Sequence, residues 1–285
     1  MVLSTGRTRL PKILKSIAMY AFLSIIAVIF VFPYLWTVLS TLKEGYEIRS
    51  IPLTLFPSNP NWDIYIKIWE VYQFSRSIIN SFIVATIGPL LVVATSCLAG
   101  YALSKYSFRG GGLLFRFVLG TMMLPWFITL LPRFLIVYRL GWMNTFWALI
   151  IPSTVNAYGI FLARQFTMTI PDELIEAAKM DGCTDFGAFW RIVLPLLKPI
   201  ALVLFMFNFI TQWNEFLWPL IVIHKEEMFT STLLLQLLRD HYQTPNELPI
   251  LLTGTTICSL PTLLVFSIME KRMVRSIKIT GLKGA

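Results

Sequence analysis

Residues 77–104 read SIINSFIVATIGPLLVVATSCLAGYALS and contain no Asp, Glu, Lys or Arg. A helix needs roughly 20 mostly apolar residues to cross about 30 Å of bilayer hydrocarbon, so this stretch predicts a membrane-spanning helix. Similar stretches give six predicted spans, at about residues 17–42, 77–104, 113–132, 140–163, 196–223 and 248–269. The sequence therefore predicts an all-α integral membrane protein with a single transmembrane domain over residues 1–285.

The overall composition supports the same class. Of the 285 residues, 56% are hydrophobic and only 14% are charged, whereas a soluble domain carries about 25% charged residues. A chain of this length and composition could not cover a water-facing surface, which excludes an ordinary soluble enzyme. A formal net charge of +9 is also typical of nucleic-acid binders, but here the charge follows the membrane topology, so we predict no nucleic-acid partner.

The distribution of Lys and Arg predicts the orientation. Sixteen of the 24 basic residues lie on the side that carries both termini, and eight lie on the other side. The first side has a net charge of +10 and the second of 0, with Glu215 inside the fifth span. By the positive-inside rule both termini are predicted to be cytoplasmic, in the cytoplasmic (inner) membrane. The first apolar run is too long for a cleaved signal peptide, so we predict an uncleaved span.

The longest predicted cytoplasmic connection, residues 169–195, contains the start and stop signals of two short helices. Pro171 and the acids after it suit a first helical turn, and Gly182 suits a left-handed C-terminal cap. Thr184 can cap a second helix, which is expected to end near Leu194 because Pro195 follows. The second helix carries an apolar stripe, and the first carries small and charged side chains. This pattern fits a docking element, or equally an amphipathic loop helix resting on lipid headgroups.

The motif in this connection resembles a known family. Glu176-Ala-Ala-Lys-Met-Asp-Gly182, followed by Ile192-Val-Leu-Pro195, is similar to the EAA loop of binding-protein-dependent ABC importer permeases. The resemblance covers most of the chain. Within the family, the chain resembles the carbohydrate permeases that are related to the smaller permease subunit of the maltose transporter. Further matching motifs are Asn80-Ser81, Ala99–Gly110, Pro171–Leu174, Trp213–Phe216 and Gly281–Gly284. Cys183, where an alanine is more usual, and residues 225–248 depart from the pattern.

The resemblance implies a type I ABC importer permease fold and a role for each residue of the motif. In that family the loop forms a coupling helix that sits in a groove of an ATPase subunit. Carried over, Glu176 pairs with a basic residue of the ATPase, while Ala177 and Ala178 line the contact. Gly182 makes the turn between the two helices, and Asp181, which stands beside the small patch, is able by its charge to make a further contact.

The resemblance also implies the partners and the mechanism. We expect a second homologous permease subunit, two ATPase subunits, an extracytoplasmic solute-binding protein, membrane lipid and a small carbohydrate substrate. The outer segments 43–76 and 224–248 are predicted either to contact the binding protein or to serve as plain connectors. ATP and Mg²⁺ would be bound by the ATPase subunits, because this chain contains no phosphate-binding GxxxxGK[ST] loop. The chain would work by alternating access.

A possible translocation path lies in the fifth span, at Trp213, Asn214 and Glu215. An aromatic ring and polar groups suit sugar hydroxyls, and an acid within a span costs at least about 2.5 kcal/mol and is functional by default. The competing interpretation is an interhelical hydrogen bond that fixes packing, and we favour it for Glu215. The sequence offers no catalytic motif and no metal-ligand or cofactor spacing, so we expect a transport subunit rather than an enzyme.

Two other functions remain as alternatives. An ion-coupled secondary transporter would need several intramembrane acids or histidines and usually internal repeats, whereas only Glu215 qualifies. An importer of the same architecture for a non-sugar, such as a glycerol phosphate ester, is the alternative within the family.

Overall fold

The computed structural model describes residues 9–71, 74–241 and 247–281. Within these ranges the chain is helical and contains no β-strand, which confirms the predicted all-α class. Of the Gly281–Gly284 motif, residues 282–284 lie outside the described ranges. The α-helices are α1 (Arg9–Ser40), α2 (Gly45–Ile48), α3 (Asp63–Val71), α4 (Phe74–Lys105), α5 (Gly111–Thr121), α6 (Trp126–Arg139), α7 (Phe146–Ile150), α8 (Ala157–Thr167), α9 (Asp172–Met180), α10 (Asp185–Ala188), α11 (Leu194–Leu196), α12 (Lys198–Trp213), α13 (Leu217–Val222), α14 (Ser231–His241) and α15 (Leu248–Gly281).

Three helices are each long and apolar enough to cross a membrane, over Leu14–Ser40, Phe74–Lys105 and Leu248–Glu270. Three further candidates are pairs of helices that reach the required length only together. Their bends are 105° between α5 and α6, 44° between Phe146–Ser153 and α8, and 76° between Asp185–Leu196 and α12. By length and composition the described residues therefore hold three to six spans.

The third predicted span differs from the expected single helix over residues 113–132. The chain breaks after Thr121, and α6 then runs from Trp126 through Pro132 to Arg139, which includes residues expected in an outer loop. Pro125 explains the break, because proline disfavours helical geometry in the residue before it and stands here in an extended conformation at the start of α6. The guanidinium carbon of Arg133, in α6, lies 4.1 Å from the ring centre of Trp218 in α13.

The described residues divide into two compact units, one of residues 9–71, 239–241 and 247–256, and one of residues 74–238 and 257–281. In the first, the hydroxyls of Thr41 and Tyr65 lie 2.8 Å apart and hold the end of α1 to α3. In the second, α4 packs against both α8 and α12. Gly100 makes the contact with α8 possible, since a Cβ at that position would lie 2.7 Å from the backbone nitrogen of Arg164.

Candidate coupling site and translocation path

The coupling hairpin, which we define as residues 169–196, contains the two predicted short helices. α9 ends in a left-handed turn, with Gly182 at φ 83°. The amide of Gly182 donates to the carbonyl of Lys179, and the amide of Cys183 donates to that of Ala178, at 3.0 and 2.9 Å. These two bonds define a Schellman C-cap, in which glycine avoids the steric cost of a side chain. The predicted position of Gly182 between the helices is confirmed.

The second helix of the hairpin begins as predicted but does not end as predicted. The Thr184 hydroxyl accepts the amide of Gly187 at 3.1 Å, as an N-cap should. Instead of ending near Leu194, the helix widens into a π turn over residues 189–193 and continues to Leu196. The wider turn makes room for the ring of Pro195 and tolerates its missing amide donor, so the proline does not end the helix.

An apolar cluster anchors the hairpin to the end of α4. Ile175 of α9 and Phe189 of the π turn are 5% and 1% exposed and pack in one cluster with Tyr101 of α4. The predicted apolar stripe of the second helix is divided, because Phe186 and Trp190 are 62% and 48% exposed. The inner half of the stripe therefore fixes the hairpin, and the outer half stays free for lipid or protein.

One ion pair fixes the beginning of α9. The ammonium group of Lys105, at the end of α4, lies 2.6 Å from a carboxylate oxygen of Asp172 and donates to the carbonyl of Ile170 at 2.5 Å. The Lys105 side chain is 7% exposed and that of Asp172 is 72% exposed, so solvent reaches the pair from the Asp172 side and screens it in part. It ties the first turn of the hairpin to the end of α4.

A second polar network ties the end of α9 to the second helix. Lys179 Nζ lies 2.7 Å from Asp185 Oδ1 and 5.1 Å from the ring centre of Tyr106, whose hydroxyl is 2.8 Å from that of Tyr101. The hydrogen bond to Asp185 raises the pKa of Lys179, and burial, followed by the bond to Tyr101, raises the pKa of Tyr106. Lys179 therefore stays charged and Tyr106 neutral below about pH 10. The bond to Lys179 also lowers the pKa of Asp185, so the network weakens both at higher pH and where acid protonates Asp185.

The outward face of α9 differs from the expected contact surface in one residue. Glu176, Ala177 and Asp181 are exposed, whereas Ala178 is only 7% exposed and packs inward. Met180, which the sequence reasoning missed, is 88% exposed. The missed signal was the i, i+4, i+7 spacing of Glu173, Ala177 and Met180, which places these three side chains on one helix face. The face is therefore a small apolar patch with acids at its edges.

In the predicted path, Trp213 and Asn214 make contacts that fix packing. Trp213 is 1% exposed, and its indole nitrogen donates to the carbonyl of Cys258 at 2.8 Å. Its ring stacks on Phe209 with centroids 5.8 Å apart. Asn214 is exposed, ends α12 and donates to the carbonyl of Ile210 at 2.8 Å.

Glu215 lies in the break between α12 and α13, where it caps the second of these helices. One carboxylate oxygen accepts the amides of Leu217 and Trp218, at 3.1 and 3.2 Å. A negative charge at a helix N-terminus is stabilised by unpaired amides and by the helix dipole. These bonds join Glu215 to the next turn of its own chain, whereas the sequence favoured an interhelical hydrogen bond, so a packing role for Glu215 stays a prediction.

Substitutions at Glu215 distinguish capping from proton or ion coupling. Glu215→Gln keeps an acceptor oxygen, so we expect wild-type thermal stability and uptake. Glu215→Ala removes the cap and should lower the free energy of unfolding by about 1 kcal/mol. Thermal unfolding of the purified protein and uptake in membrane vesicles measure both effects. Loss of uptake in Glu215→Gln would instead support a role for the carboxylate charge in transport.

A polar group that the sequence reasoning missed connects α12 with the broken helix before α8. Gln212 donates to the hydroxyl of Ser153 at 2.6 Å, and Asn156 donates to the side-chain oxygen of Asn208 at 3.4 Å. The side-chain oxygen of Gln212 is buried without a partner among the described residues. The i, i+4 spacing of Asn208 and Gln212 was the available signal. We call these four residues the polar group.

Comparison with known proteins identifies relatives over nearly the whole chain. The arabinooligosaccharide transport system permease protein AraQ of Bacillus subtilis is 31% identical over 94% of this chain and 96% of its own length. The sn-glycerol-3-phosphate transport system permease protein UgpE of Pectobacterium atrosepticum is 31% identical over 89% of this chain and 92% of its own length.

A solved structure has the same fold. A chain of a bacterial ABC transporter involved in the import of the acidic polysaccharide alginate superposes with a TM-score of 0.81 at 20% sequence identity, over 95% of this chain and 99% of that chain. Residues 93–279 match the family model of the binding-protein-dependent transport system inner membrane component. This chain is similar to permeases along nearly its whole length and has their fold and apolar helices. It therefore belongs to the inner-membrane permease components of binding-protein-dependent ABC transport systems.

Proposed function

We propose that this chain translocates a carbohydrate, that is a sugar, oligosaccharide or polyol, as one permease subunit of an ATP-driven importer. The polar group carries the proposal. It provides neutral amide and hydroxyl donors and acceptors where α12 lies beside the broken helix before α8, from Ser153, Asn156, Asn208 and Gln212. Such groups match sugar hydroxyls. The arabinooligosaccharide relative supports the same class.

A glycerol phosphate ester is the weaker candidate, although one relative is named for it. A phosphate dianion requires a cation or several converging amides, and none of the four residues of the polar group is charged. We therefore place the sugar path along the polar group. Trp213 and Glu215 act beside it by fixing the helix break, and the exposed Asn214 lies next to them.

We also propose that the coupling hairpin docks on an ATPase subunit. Glu176, Ala177 and Asp181, together with the exposed Met180, would form the contact. The small side chain of Ala178, on the inward face, would let α9 lie close to the residues beneath it. Gly182 would make the turn between the two helices. The ion pair of Lys105 and the apolar cluster around Tyr101 support this proposal, because a hairpin fixed to the end of α4 can pass a displacement to that helix.

The proposal includes the remaining partners and the orientation. Both termini and the hairpin would face the cytoplasm, where two ATPase subunits bind ATP and Mg²⁺. A second homologous permease would complete the path, and a solute-binding protein would contact the outer segments 43–76 and 224–248, of which 72–73 and 242–246 lie outside the described residues. ATP binding would bias the outward-open state, since only differential contacts shift such an equilibrium.

The test is uptake by the complete complex in proteoliposomes, with ATP enclosed on the ATPase side. The labelled panel contains arabinotriose, lactose, maltose, glycerol and glycerol 3-phosphate, each with the solute-binding protein of the system. We expect ATP-dependent uptake of at least one neutral carbohydrate and at least tenfold less uptake of glycerol 3-phosphate. Uptake of glycerol 3-phosphate alone, or uptake driven by an ion gradient without ATP, would overturn the proposal.

A further inference from the structure

The connection between α2 and α3, close to the end of α1, carries an unusual number of exposed apolar side chains. Four of them are large, those of Ile51, Leu53, Leu55 and Phe56. The connection follows the candidate span Leu14–Ser40, whose most apolar stretch contains no buried residue. Exposed apolar side chains beside a membrane span suit the boundary between lipid headgroups and acyl chains. By the predicted orientation this boundary belongs to the extracytoplasmic leaflet.

An apolar cavity lies between this connection and α1. Its volume is about 240 Å³, and it is lined by Phe32, Trp36, Leu53, Thr54 and Leu55. The indole nitrogen of Trp36 is buried and has no hydrogen-bond partner among the described residues. A tryptophan at a membrane boundary commonly directs this N–H to a polar group of the interface. The apolar cavity therefore offers space for a hydrocarbon chain and one unused donor among its lining residues.

A polar cavity of about 300 Å³ lies in the same compact unit, and its polar lining consists of Thr41, Lys43, Glu44, Asn61 and Lys67. This volume is at the lower end of the roughly 300–1,000 Å³ of ligand pockets. Two ammonium groups and one carboxylate line it, and its other lining residues are uncharged. The polar cavity therefore has a surplus of one positive charge, which suits an anion of charge −1.

Lys43 connects the two cavities. It lines the polar cavity, while its Nζ donates to the carbonyl of Thr54 and lies 5.5 Å from the ring centre of Trp36. Thr54 and Trp36 both line the apolar cavity. Lys43 is only 1% exposed, and among the described residues no carboxylate oxygen lies within 4 Å of its Nζ.

The burial of Lys43 has an electrostatic cost. Desolvation lowers the pKa of Lys43, and the negative charge of Glu47 opposes this shift in part. The carboxylate of Glu47 also accepts the amide of Ser58, at 3.3 Å, so it serves a second donor. A buried ammonium group is stable when an anion compensates its charge. The polar cavity is where such an anion would reach Lys43.

We propose that the two cavities form one binding site for an anionic phospholipid of the phosphatidylglycerol class. The phosphodiester lies between Lys43 and Lys67, and the hydroxyls of the head face Glu44 and Asn61. One acyl chain passes along Trp36 in the apolar cavity. A free phosphate would leave the apolar cavity uncovered, and a zwitterionic head would leave the surplus positive charge. The inference goes beyond the proposed function, because it depends only on the chain lying in a membrane.

The test uses the complete complex, purified in detergent, and measures lipid binding without transport. The complex is titrated with dioleoylphosphatidylglycerol and with dioleoylphosphatidylcholine, and the bound lipids are counted by native mass spectrometry. Lys67→Gln removes one charge from the polar cavity at an exposed side chain, which preserves the fold. Lys43→Met removes the buried charge. Lys15→Gln is the matched control, since Lys15 is exposed near the beginning of α1, at the other end of the span.

We expect the wild-type complex to bind phosphatidylglycerol at this site at least fivefold more tightly than phosphatidylcholine. The affinity for phosphatidylglycerol should fall at least fivefold in Lys67→Gln and in Lys43→Met and stay within twofold in Lys15→Gln. Leu53→Trp, a change at an exposed position that fills the apolar cavity, should also lower it at least fivefold.

Four results would overturn the proposal. Equal binding of the two lipids would show that the surplus charge selects no headgroup, and equal losses in Lys67→Gln and Lys15→Gln would show that the polar cavity is not the site. Displacement of the lipid by an equal concentration of water-soluble glycerophosphoglycerol would identify a phosphate site that uses no acyl chain. If the complete complex binds no phosphatidylglycerol, a protein surface covers the cavities in place of lipid.

Discussion

Glu176→Lys should abolish ATP-dependent uptake while the protein still inserts and folds. Glu176 is exposed on α9, so its replacement costs little within this chain. Opposite a basic residue of an ATPase, the new lysine would turn an attraction into a repulsion. Two unit charges 4 Å apart interact by about 4 kcal/mol near a protein surface, which corresponds to roughly a thousandfold in affinity. Co-purification of the ATPase subunits and uptake in proteoliposomes measure the effect.

Glu270→Lys is the matched control for this variant. Glu270 is an exposed acid on α15, outside both the coupling hairpin and the outer segments, and its reversal changes the net charge equally. We expect this variant to transport and to retain its ATPase subunits. Normal uptake by Glu176→Lys would exclude Glu176 from the coupling contact. Equal loss in both variants would assign the effect to net charge.

The long helices were predictable because their signal is local. The apolar runs around residues 17–42, 77–104 and 248–269 correspond to α1, α4 and α15, which the structure forms without interruption. The broken helices were not predictable to the same degree. Pro125 breaks one candidate span and Pro132 does not break the next helix, since a proline is tolerated where neighbouring elements satisfy the freed backbone groups.

The coupling hairpin shows the same division between local and tertiary information. Gly182 and Thr184 were assigned correctly, because a left-handed cap and an N-cap depend on residues within one turn. The separation of Ala178 from Ala177 could not be predicted. The inward face of α9 packs through Ile175 against Phe189 and against Tyr101, which lies on α4, far from α9 in sequence. The packing role of Trp213 could not be predicted for the same reason, because its indole nitrogen donates to the carbonyl of Cys258, which is distant in sequence.

Gly100→Ala is expected to have the largest effect on stability. A Cβ on Gly100 would lie 2.7 Å from the Arg164 nitrogen and 2.8 Å from the Ala163 backbone carbon, so two helices would have to separate. Backbone atoms cannot rotate away as a flexible side chain can. Overpacking of this kind costs about 1–3 kcal/mol, and we expect the thermal midpoint of the purified protein to fall by roughly 5–10 °C. Tryptophan fluorescence during heating provides the measurement.

Gly120→Ala is the control, because it makes the same chemical change in α5, where no atom lies within 4 Å of the added Cβ. Alanine is a better helix former than glycine by roughly 0.5–1 kcal/mol, so this variant should melt at the same temperature as wild type or slightly higher. The comparison isolates the close approach of α4 to α8 from the general effect of replacing a glycine within a membrane helix. Equal midpoints for the two variants would mean that α4 and α8 do not pack through Gly100.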